Sequence, residues 1–193
     1  MKENIKYSEI KELELRMYFF VPYNISPIQQ AIQAGHAALE YADKYGAEEL
    51  FINYVRYHKT WIILNGGTTN SRRDLNGEIM GSLNQIGDQL LENDIQFSYF
   101  EEPDLNDALS AICFICDERV FNKKDYPDFT DYLIPELELN DGKEANFDYI
   151  KIKMTNVEIL MEKYFDIYKE WVRFVGGVKN VFLRDLLNDK KLA

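Results

Sequence analysis

Apolar runs alternate with amphipathic stretches between residues 15 and 117. Residues 27–45 and 80–93 repeat apolar side chains every three or four positions, as amphipathic helices do. The order strand, helix, strand, helix, strand, strand predicts an α/β fold with a small mixed four-stranded sheet flanked by helices. Four runs have the length and the aromatic or β-branched content of strands, namely residues 15–21, 60–64, 95–100 and 110–116.

The first helix has clear signals at both ends. Ser26 is a favourable N-cap, and Pro27 suits the first helical position because its missing N–H would have no partner there. Gly46 is expected to end the helix in a left-handed conformation. The apolar spacing predicts a buried stripe of Ile28, Ile32, Gly35, Leu39 and Ala42. The many alanines of this helix predict close packing on the sheet.

Shorter segments complete the α/β region. Residues 47–57 are predicted to form a short helix or a loop, with Phe51 and Tyr54 packed inward. Residues 65–70 suit a flexible turn or, alternatively, a cradle for an anion, although they match no phosphate-loop pattern. The second long helix is expected to bury Leu83, Ile86, Leu90 and Leu91.

Beyond residue 120 the pattern becomes helical. Residues 135–146 are acidic and predict a linker or surface loop, whereas residues 154–174 carry a long apolar stripe and predict one helix. A last short helix is expected over residues 180–187. We therefore expect an N-terminal arm over residues 1–14, an α/β domain over 15–120 and a C-terminal helical extension over 121–193. That extension must pack on the core or on a partner subunit, so a homodimer through the C-terminal helices is one prediction.

The amino-acid composition restricts the classes of function that we expect for this protein. The formal charge of −11 disfavours a generic nucleic-acid binder, which needs clustered Lys and Arg, and favours a small ligand or a protein partner. Cys113 and Cys116 form a lone CxxC, which also fits a redox or metal site. On a strand they point to opposite faces, which favours buried structural thiols. With no signal peptide or membrane-length apolar run in the sequence, we predict no membrane partner and a cytoplasmic location.

Several polar residues should meet at one edge of the sheet. Ligands of this fold class gather at the carboxyl ends of strands, where Tyr23, Asn24 and the first helix begin. Within that helix Gln29, Gln33 and His36 are predicted to form a polar row, and a carboxylate that follows the third strand would orient the imidazole. Residues 65–67 join this edge if their strand runs parallel to the first. A structural, hydrogen-bonded histidine is the alternative reading of His36.

The strand, turn and helix that carry Gln33-Ala34-Gly35-His36-Ala37-Ala38 resemble the type II peptidyl-tRNA hydrolases, whose helix has a Gln-x-x-His-Ala-Ala pattern. The later order is also similar: a second strand led by Lys59, a helix, a third strand, an acidic turn and a final strand. The segment Glu-Pro-Asp-Leu at residues 102–105 resembles divergent members that are associated with bacteriophage genomes. The resemblance covers about residues 15–118.

The resemblance implies hydrolysis of the ester between a peptide and the 3′ end of tRNA, without a metal or cofactor. It places Gln33 and His36 in the catalytic motif, and the family's catalytic Asp corresponds to Asp104 or Glu102. Asp104 is taken as the catalytic member. The family's important Lys is Gln29 here, and its Asp-Leu after the first strand is Asn24-Ile25. The predicted ligand-binding residues are Tyr23, Asn24, Gln29, Glu102 and Ser110.

Two functions follow as expectations. The first is a divergent peptidyl-tRNA hydrolase that cleaves peptidyl- or aminoacyl-tRNA. The alternative is an inactive binding protein on the same fold, which sequesters a nucleotide, an RNA end or a host protein. Either would act in the cytoplasm, and in the host cytoplasm if the chain is phage-encoded.

Overall fold

One four-stranded sheet organises the protein. A computed structural model describes residues 12–69, 81–140 and 149–193. The strands are β1 (Leu15–Pro22), β2 (Thr60–Gly67), β3 (Phe97–Glu102) and β4 (Ala108–Asp117). Their spatial order is β2-β1-β4-β3, with β1 parallel to β2 and β4 antiparallel to both of its neighbours. The mixed α/β sheet flanked by helices is therefore confirmed.

Helices pack on both faces of the sheet, and a further group of helices follows the last strand. In the first part of the chain they are α1 (Pro27–Tyr45), α2 (Glu49–Asn53) and α3 (Ser82–Glu92), with a π-helical turn at Tyr54–His58 and a 3-10 turn at Pro103–Leu105. The later helices are α4 (Glu118–Phe121), α5 (Phe129–Asn140), α6 (Tyr149–Met154), α7 (Val157–Lys163), α8 (Phe165–Phe174) and α9 (Val178–Leu187). Parts of several predicted segments lie outside the described residues: residues 1–11 of the arm, residue 70 of the loop, residue 80 of the helix and residues 141–146 of the linker.

The start of α1 is fixed by a capping box. The Ser26 hydroxyl accepts a hydrogen bond from the Gln29 amide at 3.3 Å, and the Gln29 side-chain oxygen accepts one from Ser26 N at 3.1 Å. The predicted first helical residue, Pro27, is confirmed. At the other end Gly46 has φ −60° and ψ −21°, so the predicted left-handed cap is wrong.

The predicted buried stripe of α1 is wrong. Ile28, Ile32 and Leu39 are 74%, 50% and 69% exposed. Close packing explains this reversal: the Cys113 thiol donates to the carbonyl oxygen of Ala37 at 3.2 Å, which leaves no room for branched side chains under the helix. The residues that α1 buries are Gln30, Gln33, Ala34, Ala37 and Tyr41.

The sheet carries a separate apolar cluster on each face. On the α1 face, Met17, Phe19 and Val21 of β1 pack with alternate residues of β4. On the other face the intervening residues pack with α3 and α9. Cys113 and Cys116 lie on opposite faces, and both are buried free thiols, as the alternation predicted. The inward set of α3 is confirmed except for Leu91, which is 70% exposed.

The C-terminal region differs from its prediction. Helix α5 runs through Pro135, so the predicted linker is wrong as far as residue 140. Proline removes one helical hydrogen bond, but Leu133 and Leu137 on either side of it are buried and hold the helix. The single helix predicted over residues 154–174 is divided at residues 155–156 and again at Tyr164.

Most of the C-terminal apolar stripe is covered within the chain. Trp171 of α8 and Val175, which follows this helix, pack with residues of α5, α6 and α7 in a third cluster. Helix α9 packs on α4, and its Leu183 and Leu186 enter the sheet core. Arg184 is 4% exposed and donates to Asp128 and to the backbone carbonyl of Tyr126.

The last residues extend the sheet. The amide of Asn65 donates to the carbonyl of Lys191 at 2.9 Å, and the amide of Ala193 donates to that of Ile63 at 3.1 Å. This antiparallel pairing covers part of the outer edge of β2. In the described parts of the chain, none of the helices has both the length and the apolar character needed to cross a membrane.

Candidate functional site

The candidate site lies at the edge of the sheet where β1, β2 and β3 end. These strands run in one direction, and β4 begins at the same edge because it is antiparallel to β1 and β3. The amide of Tyr23 donates to the carbonyl of Gly67 at 3.0 Å, which joins the ends of β1 and β2. Because β2 runs parallel to β1, residues 65–67 lie at this edge, as predicted for a parallel second strand.

A β-bulge places Ser110 in the site. Phe100 pairs with Ala111, but the next residue, Glu101, pairs with Leu109, so Ser110 is an extra residue in β4. In a bulge two successive side chains point to the same side of the strand. Ser110 and Ala111 accordingly both face α1, whereas a regular strand would have directed Ser110 towards α3.

Gln33 joins the helix to the sheet through its amide. Its side-chain nitrogen donates to Glu102 Oε2 at 2.5 Å, and its oxygen accepts from Ser110 Oγ at 2.7 Å. Ser110 Oγ also lies 3.1 Å from the carbonyl oxygen of Phe100. Gln33 and Ser110 are buried, at 8% and 2% exposure, and Glu102 is half-buried. The predicted site residues Gln33, Glu102 and Ser110 therefore form one connected polar group.

His36 lies one turn further along α1 and stacks on a phenyl ring. The centroids of His36 and Phe100 are 4.5 Å apart, with 21° between the ring planes. Phe100 and Glu102 project from the same face of β3, since they are two residues apart on one strand. The half-buried imidazole therefore lies on the side of the sheet that carries the Glu102 carboxylate.

The other predicted site residues lie at the rim. Asp104 is exposed within the 3-10 turn, and Tyr23 and Asn24 are exposed after β1. Gln29 is also exposed, and its side-chain oxygen accepts from both the amide and the hydroxyl of Ser26. The predicted polar row of α1 is thus split: Gln33 faces the sheet, whereas Gln29 caps its own helix.

These groups define the chemistry that the site offers. The Ser110 hydroxyl directs its proton to an amide or a backbone oxygen, neither of which is a general base, so Ser110 is not activated as a nucleophile. Glu102 is the group that can accept a proton, and His36 can donate or accept one. Ser110 donates to the side-chain oxygen of Gln33, so the side-chain nitrogen of Gln33 faces Glu102. Gln33 therefore orients the Glu102 carboxylate by donating a hydrogen bond to it.

A cleft of about 550 Å³ lies at the opposite end of the strands. Two of the carboxylates that line it have partners: Asp94 is paired with Lys179 at 2.6 Å, and Asp117 with Arg119 at 2.7 Å. The cleft shares no residue with the Gln33 group.

Two features of the site were missed by sequence reasoning. The sequence pattern predicts Phe100 only as the end of a strand, although alternation along that strand places both Phe100 and Glu102 beside Gln33. The bulge at Ser110 depends on pairing between strands and has no local signal.

No protein-family model matches the chain, and a search among curated proteins gives no significant match.

Proposed function

We propose that this protein is a divergent peptidyl-tRNA hydrolase-like esterase, which cleaves the ester that joins a peptide or an amino acid to the 3′ end of tRNA. The observation that carries this proposal is the Gln33 amide, held between Ser110 and Glu102 with His36 one turn away. The order of elements on which the resemblance rests, from the motif-bearing helix to the acidic turn and final strand, also supports it.

In the proposed reaction Glu102 removes a proton from water. The water oxygen attacks the ester carbonyl carbon, the bond from that carbon to the tRNA 3′ oxygen breaks, and His36 supplies a proton to the leaving oxygen. Gln33 and Ser110 position the carboxylate. Asp104, at the exposed rim, contacts substrate and takes no proton. Glu102 therefore replaces Asp104 as the proposed proton acceptor.

The second candidate is a binding protein without hydrolysis, and a specific observation favours it. At the position of the family's Lys, the Gln29 side chain caps α1 through Ser26 and has no positive charge. A cation at this position would stabilise a phosphate or a developing oxyanion. Such a protein would hold a nucleotide, an RNA end or a host protein at the same edge.

An ester-cleavage assay with N-acetyl-aminoacyl-tRNA tests the first proposal. We expect cleavage by the unmodified protein, and a loss of about 100-fold or more in Glu102→Gln and in His36→Ala. Asp104→Asn should retain most of the activity. His58→Ala is the matched control, because it removes the other histidine, which lies in the π-helical turn outside the site.

Absence of cleavage by the unmodified protein would refute the esterase. Binding of the same tRNA, measured at two salt concentrations because phosphate contacts weaken with salt, would then support the second candidate. The Gln29→Lys variant separates the two further. It should introduce or raise cleavage if the missing cation is what limits the reaction.

A further inference from the structure

The outer face of α1 is unusually apolar for a helix on the surface. Ile28, Ile32, Gly35 and Leu39 follow one another at steps of four, three and four residues, so they form one line. The three large side chains are half or more exposed. Residues 27–39 contain no Asp, Glu, Lys or Arg, in a chain in which 28% of residues are charged. Surface helices normally carry charge on the side that faces water.

Gly35 makes a gap in the middle of this line. A side-chain carbon added at Gly35 would have no other heavy atom within 4 Å, apart from the backbone of its own helix. The gap therefore opens outward, away from the sheet. Ile32, which precedes it by one turn, projects on the same side as a branched knob.

The line is complementary to itself. If two copies of α1 cross antiparallel, with the two-fold axis midway between positions 33 and 34, position 28 faces position 39 and position 32 faces position 35. Ile28 then packs on the partner's Leu39, and Ile32 enters the gap at the partner's Gly35. A two-fold interface requires this reciprocity, because each residue and its counterpart exchange roles.

We propose that the outer face of α1 is an interface with a second copy of this chain. Charge permits the pairing: although each chain has a net charge of −11, residues 27–39 place no like charges opposite one another. The 19 residues of α1 span about 28 Å and present a strip about 10 Å wide, so each copy contributes roughly 300 Å². Stable dimers bury about 800 Å² on each partner, so this dimer is reversible, with a dissociation constant that is roughly micromolar or weaker.

Sedimentation velocity over protein concentrations from about 1 to about 500 µM tests the interface, because a dimer forms by mass action. The expected result is a rise from 22.7 kDa towards twice that mass. Ile32→Glu should remain monomeric. Ile159→Glu is the matched control: Ile159 is 56% exposed, close to the 50% of Ile32, but lies on α7, so this variant should associate like the unmodified chain.

Gly35→Gln tests the gap without disturbing the fold. The open space around Gly35 accepts a side chain, and glutamine favours a helix more than glycine does, so the variant should melt at the same temperature or higher. It should nevertheless lose association. Loss of association with an unchanged melting temperature supports the interface, whereas association as strong as in the unmodified chain overturns it.

Cysteine cross-linking tests the register. The double variant Ile28→Cys, Leu39→Cys should form a disulfide-linked dimer under mild oxidation, since positions 28 and 39 face each other across the axis. Each single variant should cross-link poorly, because equal positions are separated by about 16 Å along the helices. Efficient cross-linking of the single variants, or a monomeric unmodified chain at every concentration, would overturn the proposal. The latter result combined with a large loss of stability in Ile32→Glu would show that the chain covers this face itself.

Discussion

The coupling energy between Gln33 and Ser110 can be obtained from the free energies of unfolding of the single and double variants. Ser110→Ala removes a hydroxyl and leaves the buried oxygen of Gln33 without its partner, which costs about 1–2 kcal/mol. Gln33→Leu removes the bond to the Glu102 carboxylate, worth about 1.5–3 kcal/mol, while Ser110 keeps the carbonyl of Phe100. The double variant loses the shared bond only once. Its cost should therefore fall short of the sum by about 1 kcal/mol.

Gln30 provides the matched control for this cycle. It is buried on the same helix at 7% exposure, but its amide donates to the carbonyl of Pro22 at 3.1 Å and has no bond to Ser110. The costs of Gln30→Leu and Ser110→Ala should therefore add to within about 0.5 kcal/mol. Urea unfolding followed by the fluorescence of Trp61 and Trp171 gives each value. Additive costs for Gln33→Leu and Ser110→Ala would refute the hydrogen-bonded group on which the proposed site depends.

Two further predictions concern stability. Burial raises the pKa of the Cys113 thiol to about 12, above the value of about 8.5 in an unfolded chain, so unfolding releases a proton in alkaline solution. This thiol should lower the free energy of unfolding by about 1.4 kcal/mol for each pH unit from about pH 9 towards pH 12. Urea unfolding of Cys113→Ala should therefore show a shallower fall with pH. Equal slopes for the two proteins would contradict this prediction. Arg184→Met should cost about 1–3 kcal/mol, since it removes the buried donor to the carbonyls of Arg119 and Tyr126, whereas the exposed Asp128 keeps its bond to Lys123. The exposed Arg173→Met is its control, and equal melting temperatures for the two variants would show that the buried guanidinium contributes little.

Local signals in the sequence predicted the elements well. Apolar runs located all four strands, and Ser26 with Pro27 located the start of α1, because strand propensity and helix capping act over a few residues. The orientation of α1 was not predicted. Hydrophobicity favoured Ile28 and Leu39 as the buried residues, but the side facing the sheet is set by close contact, which selects alanine.

The functional site was only partly predicted, because some of its contacts depend on how distant parts of the chain pack together. The helix motif predicts Gln33, and the position after the third strand predicts either Glu102 or Asp104. Choosing Glu102 over Asp104 as the partner of Gln33 requires the strand to continue to Glu102 and the turn to begin after it. Ser110 reaches the same group through a bulge, which depends on the register between two strands.

The pairing of the C-terminal residues with β2 has a consequence for solubility. A strand at the edge of a sheet offers unpaired amides and carbonyls to other chains, and it promotes aggregation unless something blocks it. Residues 191–193 block the edge of β2 at Ile63 and Asn65, beside Trp61, whose side chain is 45% exposed. At the opposite edge of the sheet, β3 ends in Glu101 and Glu102, followed by Pro103, and both charge and proline discourage strand addition. The two edges are thus protected in different ways, one by the chain's own backbone and the other by its side chains.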